Sequence, residues 1–150
     1  MINKKKYEYI ITSEPLNLVE KIPAKFDLHW HHYNEILVYP PEASSRRKPV
    51  VLVDQTTYEL KPGDALLIWS SEMHSIISNP DMVLMGIQFP PSILTDIPEF
   101  ASFAHLFRSY HLLDADDTKM SGMSEYIQLK MKQILDIHKQ KNSAERPAFL

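Results

Sequence analysis

The chain contains no cysteine and only three glycines in 150 residues. Without cysteine, neither disulfide bonds nor thiolate metal sites can form, which suits a reducing cytoplasm. The three glycines stand far apart, so a glycine-rich loop for a phosphate or a dinucleotide is excluded. No apolar run approaches the about 20 residues that span a bilayer. The net charge of −3 gives the chain no overall positive field for nucleic acid.

The first two-thirds of the chain has the pattern of short β-strands. The predicted strands are residues 7–12, 26–30, 33–39, 50–53, 56–60, 65–69, 75–78 and 82–89. Turn residues separate several of them, among them the Lys-Pro-Gly-Asp run at 61–64 and a two-residue hairpin loop at Asp54-Gln55. Many short strands at this spacing predict a sandwich or a barrel.

The last third has the pattern of helices. An Asp-Ile-Pro-Glu run at 96–99 predicts a helix start, and a second helix is predicted over residues 121–138. Residues 145–150 look like the start of a third helix. This pattern predicts that the sequence is a fragment of a longer protein. We therefore expect one structural domain, with a β part and an N-terminal arm at residues 1–95 and a helical part at 96–150.

The second helix is a candidate dimer helix. Its apolar residues approximate the a and d positions of a heptad repeat, although Lys130 interrupts the series. The residues concerned are Met123, Ile127, Ile134 and Ile137. The alternative is that the helix only covers the β part.

The run His-Trp-His-His-Tyr-Asn-Glu at residues 29–35 holds three of the seven histidines. On one strand, offsets of two and four would point His29, His31 and Glu35 to the same face. Two imidazoles and a carboxylate suit a first-row transition metal, or a polar pocket for a small ligand. The residues therefore predict either a metal site or a hydrogen-bonded pocket, and both readings stay open.

The same run resembles the first cupin motif, whose core is His-x-His-x-x-x-Glu. The second cupin motif ends on a histidine that matches His74, with Gly63 at its start. The resemblance thus fills all four metal-ligand positions of cupin enzymes: His29, His31, Glu35 and His74. The flanking positions differ from the motifs. Glycine is replaced by Pro23, Glu42 and Ser71, proline by Trp69, and asparagine by Ser78.

The wider pattern resembles the N-terminal domain of AraC-type transcriptional regulators, from about residue 26 to the end. The resemblance implies a mainly β fold: a cupin-type double-stranded β-helix, or jelly-roll barrel, followed by two or three C-terminal α-helices. It implies a small-molecule effector bound among His29, His31, Glu35, His74 and Trp69, although Trp69 could instead belong to the core. It also implies a homodimer that contacts DNA only through a helix-turn-helix half that is not in this chain.

The function expected from these observations is sensing rather than catalysis, with no required cofactor and no membrane partner. The alternative is a metal-dependent cupin enzyme, such as a dioxygenase or a sugar isomerase, with a divalent transition metal on the same four residues. The sequence leaves open the identity of the effector, and whether it activates or represses transcription.

Overall fold

The computed structural model describes residues 17–19, 22, 25–43, 48–78, 84–119 and 121–145. In chain order its elements are β1 (Asn17–Val19), β2 (Phe26–His29), β3 (Asn34–Val38), β4 (Val50–Val53), β5 (Thr56–Glu59), β6 (Ala65–Ile68), β7 (His74–Ser78), β8 (Met85–Phe89), α1 (Ser92–Thr95), α2 (Pro98–Phe107), β9 (Leu112–Leu113) and α3 (Ser121–Glu145). Among the helices so described, none is long and apolar enough to cross a membrane.

The strands form two antiparallel sheets. One has five strands in the order β1-β8-β3-β6-β9, and the other has four in the order β2-β7-β4-β5. Strands that are neighbours in the chain therefore often lie in different sheets, as β2 and β3 do. The mainly β prediction is confirmed, as two antiparallel sheets with a helix at the C-terminal end.

The predicted strands within the described residues all contain a strand, with ends that differ by at most three residues. The hairpin loop at Asp54-Gln55 is also present: Asp54 takes a φ of 50°, and Val53 pairs with Thr56. Three elements were not predicted, namely β1, α1 and β9, because each is too short for a period to show. The predicted strand at 7–12, most of the arm and the start of a third helix lie outside the described residues.

The main core lies between the two sheets. Leu37 and Ile68 reach it from the five-stranded sheet, and Val51, Val53 and Ile76 reach it from the four-stranded sheet. Because side chains alternate along a strand, the intervening residues of β3 point to the opposite face. That alternation gives the five-stranded sheet an inner face toward the core and an outer face toward α3.

Helix α3 covers the outer face of the five-stranded sheet. Met131 joins Val38, Ile87 and Leu113 in a second apolar cluster, against which Ile127 and Ile134 also pack. Polar contacts fix the start of the helix: Ser124 Oγ donates to Gly63 O, and Gln128 Nε2 lies 3.1 Å from both Tyr39 O and Asp64 O. The helix is longer than predicted, since it continues to Glu145.

Hydrogen bonds to the Asp64 side chain connect the turn before β6 with the segment before α3. Its side chain is fully buried and accepts hydrogen bonds from Lys61 N and Ala115 N, both at 2.8 Å. Gly63 has a φ of 91°, which a residue with a Cβ rarely adopts. Lys61 Nζ then contacts Asp114 at 2.6 Å and Asp116 at 2.8 Å.

Replacing Asp64 by Ala is expected to lower the free energy of unfolding by about 2 kcal/mol, because the N–H groups of Lys61 and Ala115 both lose a part-buried hydrogen bond. Asp116→Ala is the matched control: it removes an exposed ion pair with Lys61 and should cost less than about 1 kcal/mol. Urea unfolding monitored by tryptophan fluorescence measures both. Equal losses in the two variants would contradict the role given to Asp64.

Candidate functional site

The four predicted ligand residues come from both sheets. His29 ends β2 and is paired with His74 at the start of β7, in the four-stranded sheet. Glu35 lies on β3 in the five-stranded sheet, and His31 lies in the connection between the two. The expectation that His29, His31 and Glu35 lie on one face of a single strand is therefore wrong, and the run is instead divided as the separate predicted strands at 26–30 and 33–39 indicate. The side chains converge because the chain crosses from one sheet to the other within this run.

His29, His31, Glu35 and His74, here called the histidine cluster, lie close together, and Glu35 contacts His31 and His74. One ligand atom from each of the three histidines lies within 4.8 Å of the others. Glu35 Oε2 is 3.0 Å from His31 Nε2 and 3.3 Å from His74 Nε2. The ring centroids of His29 and His74 are 4.1 Å apart. The structure thus brings together all four residues that the sequence singled out.

Each histidine of the cluster is anchored through its Nδ1 atom. The acceptors are backbone carbonyl oxygens two residues away: Asp27 O for His29 at 2.8 Å, Tyr33 O for His31 at 3.0 Å and Glu72 O for His74 at 2.9 Å. A carbonyl can only accept, so Nδ1 carries the proton in each ring and Nε2 is the atom left to bind a metal or a proton. Histidines that bind metals in proteins usually make this second contact.

Without a metal, the polar atoms of the cluster are only partly paired. Glu35 Oε2 lies 3.0 Å from His31 Nε2, and an ionised carboxylate can only accept in this hydrogen bond. His74 Nε2 is buried and lies near the same oxygen, yet it makes no hydrogen bond among the described residues. A divalent cation would satisfy the free imidazole nitrogens in place of a proton. The three histidines therefore form a donor set that fits a transition metal.

Two pKa shifts describe the electrostatics of the cluster. Burial is the largest effect on the pKa of Glu35 and raises it, but the contacts of its carboxylate with His31 and His74 outweigh burial and lower the pKa to about 2. For His29, burial and the neighbouring His74 lower the pKa to about 4. At neutral pH Glu35 is ionised and His29 is neutral, and both are the forms that bind a metal.

A turn at residues 69–72 holds the two parts of the cluster in place. Ser71 has a φ of 70°, at the position where the cupin motif has glycine, and its N–H donates to His31 O at 2.8 Å. Ser70 N donates to Asn34 Oδ1 at 2.9 Å, and Ser70 Oγ donates to His32 O at 2.8 Å. These hydrogen bonds hold the turn before His74 against the connection that carries His31.

Glu72 links this turn to the segment after α2. Its backbone oxygen anchors His74, while its carboxylate accepts from Trp69 N at 2.5 Å and from His111 Nε2 at 2.7 Å. Trp69 is half-buried, and its indole N–H donates to Tyr110 O at 2.9 Å. The sequence did not single out Glu72 or His111, because they are 39 positions apart and share no motif.

No family model matches the chain, and no curated protein matches its sequence. Among solved structures, the plu4264 protein from Photorhabdus luminescens is 13% identical with a TM-score of 0.39, over 63% of this chain and 76% of that chain. Oxalate decarboxylase from Bacillus subtilis, described with Mn(II) centers, is 20% identical with a TM-score of 0.37, over 63% of this chain and 29% of that chain. Both TM-scores are below 0.5.

The stability of the protein after treatment with a chelator is expected to fall as the pH decreases from 6.5. Between pH 6.5 and about 4, His29 binds a proton in the unfolded chain but not in the folded one, because folding lowers its pKa. The lowered pKa of Glu35 acts in the same direction between pH 4.5 and about 2. Urea midpoints measured across this range test the expectation. His29→Asn should flatten the upper part of the curve, and an unchanged slope would contradict it.

Proposed function

We propose that this chain is the effector-sensing and dimerisation domain of an AraC-type transcriptional regulator, and that it binds a small polar molecule at the histidine cluster. The observation that carries the proposal is the position of the cluster inside an otherwise apolar core. His31, Glu35 and His74 are at most 7% exposed and adjoin core residues such as Ile76 and Leu37. Polar groups are costly in such a place unless they are paired, so a ligand that completes the cluster would stabilise it.

The sequence resemblance supplies the regulatory part of the proposal, and α3 supports it. A sensing domain needs an interaction surface through which its ligand-bound conformation affects a partner. Helix α3 offers such a surface, because its outward face is rich in apolar residues. Its members are each more than half exposed: Met123 at 51%, Tyr126 at 58%, Leu129 at 53% and Ile137 at 65%. Of the four predicted dimer residues, Met123 and Ile137 lie on this face, while Ile127 and Ile134 pack against the sheet.

In the proposed dimer, the outward face of α3 meets the same face of a second copy. Tyr126 and Ile137 would then be the central apolar contacts, and the sheet-facing residues would serve only the fold. The residues at the predicted heptad positions are thus divided between the outward face of α3 and the face that packs against the sheet.

The double variant Met123→Glu, Ile137→Glu is expected to be monomeric, because two charges per copy would be buried in the dimer. Lys132→Glu is the control: it also changes charge on an exposed position of α3 but lies on another side of the helix. Light scattering with analytical ultracentrifugation gives the mass of each variant. A monomeric wild type, or a dimeric double variant, would contradict this interface.

In the proposed mechanism, ligand binding at the cluster is coupled to α3 through the contacts already described. A ligand that engages His74 acts on its anchor at Glu72, and the Glu72 carboxylate is bonded to His111. His111 leads directly into β9, whose Leu113 packs beside Met131 of α3. A ligand with different affinities for two arrangements of these elements would shift their populations.

A metal-dependent enzyme is a second candidate, favoured by the three anchored Nδ1 atoms. His29, His31, His74 and Glu35 are the residues that would hold a divalent transition metal, which would supply Lewis-acid activation of a bound oxygen ligand. The backbone carbonyls of Asp27, Tyr33 and Glu72 orient the three rings, and Glu35 offers a negative charge that offsets part of the charge of the cation.

Protein purified without chelators is expected, under this second candidate, to contain about one first-row transition metal ion per chain. His74→Ala should lose most of it, since one of the ligands is removed, whereas the exposed neighbour His32→Ala should keep it. Metal content by mass spectrometry, with circular dichroism as a check on folding, gives the answer. Wild-type protein with no stoichiometric metal would remove the enzyme candidate and leave the sensing proposal standing.

A further inference from the structure

The inner face of the five-stranded sheet carries a further polar residue beside the histidine cluster. Met85 and Ile87 of β8 pack in the outer apolar cluster, so strand alternation turns Gln88 to the inner face. Gln88 stands directly opposite Glu35 on β3 and opposite Asn17 on β1. Side chains of such neighbours lie about 5 Å apart. A polar row of Asn17, Gln88 and Glu35 therefore leads into the cluster.

Gln88 is buried with half of its amide group unused. It is 6% exposed, and its Oε1 accepts a hydrogen bond from Asn17 Nδ2 at 2.7 Å. Within the part of the chain that the structure describes, no hydrogen bond from Gln88 Nε2 is found. Its N–H groups can therefore donate to a bound molecule.

Glu35 has an unused atom on the same row. Both of its histidine contacts go to Oε2, and among the described residues nothing donates a hydrogen bond to Oε1. The nearest inner position of β8 is Gly86, where an added Cβ would lie 3.5 Å from this Oε1 atom. An added Cβ there would also lie 3.0 Å from Ile22 Cδ1 and 3.3 Å from Leu37 Cδ2, so β8 brings no side chain of its own against Oε1.

We infer that Gln88 is a ligand-binding residue, and that the ligand of the histidine cluster is a small molecule with oxygen atoms on two neighbouring carbons. One oxygen binds at the cluster, and the other accepts a hydrogen bond from Gln88 Nε2. Asn17 is a positioning residue: it engages Gln88 Oε1 and so leaves Nε2 for the Glu35 side. Hydroxy acids and vicinal diols share this chemistry. The inference rests on the proposed binding of a small polar molecule at the cluster.

Calorimetric titration with two matched pairs of probes tests the inference. Lactate is compared with propionate, and cis-1,2-cyclohexanediol with cyclohexanol, since the second member of each pair lacks one oxygen. The wild type is expected to prefer the two-oxygen member of one pair. Gln88→Met should weaken that member by about tenfold, the value of one hydrogen bond, and leave the one-oxygen member unchanged. If the lactate pair shows this loss, the ligand is a hydroxy acid. If the cyclohexanediol pair shows it, the ligand is a vicinal diol.

Three further variants keep the outcome interpretable. Gln88→Glu retains the acceptor for Asn17 but removes the N–H donor, so it should weaken the same probe, while Gln133→Met, an identical change at an exposed position of α3, should bind like the wild type. His74→Ala should lose both members of the pair. Circular dichroism and the melting temperature without ligand check that each variant folds.

The possible failures of this experiment differ. Binding that requires His74 but is the same in Gln88→Met overturns the role of Gln88 and leaves the proposed function intact. Binding that is unchanged in His74→Ala overturns the proposed site as well. A wild type that binds neither two-oxygen probe, or does not prefer it over its partner, overturns the inferred class of ligand.

Discussion

The burial of the Glu35 carboxylate between two sheets is the constraint on which this site depends. A carboxylate that is 7% exposed must be compensated. Its Oε2 atom faces His31 and His74, which belong to different parts of the chain. These contacts keep Glu35 ionised despite its burial, and they hold both rings against one oxygen. The geometry of the cluster follows from this single charge.

The turn at residues 69–72 gives that arrangement its rigidity. Ser71 in this turn has a positive φ, which is an unfavourable backbone conformation for a residue with a Cβ. The cost is offset by hydrogen bonds to the connection beside it, among them Ser71 N to His31 O. The departures from the cupin motif at Trp69 and Ser71 therefore do not displace His74. In place of a glycine turn, this turn is held by hydrogen bonds to its neighbours.

The sequence could predict the elements whose patterns are local. The strands from β2 to β8 and both long helices are visible as alternation or helical spacing, and the hairpin at Asp54 is visible from its turn residues. The composition of the site was also predictable, because His29, His31, Glu35 and His74 match a known spacing. The missed elements β1 and β9 are two or three residues long, and only pairing with a neighbouring strand makes them strands.

What the sequence determined by itself is which residues form the cluster; what the tertiary structure decided is how they meet and what surrounds them. The spacing of residues 29–35 suggested one strand, whereas the chain crosses between sheets there, because the apolar residues on both sides of the run must reach one shared core. Likewise, the periodicity of α3 cannot tell its sheet-facing residues Ile127 and Ile134 from the exposed Met123 and Ile137. Gln88 and His111 gain their partners only by strand pairing and loop contact, which join residues that no local pattern connects.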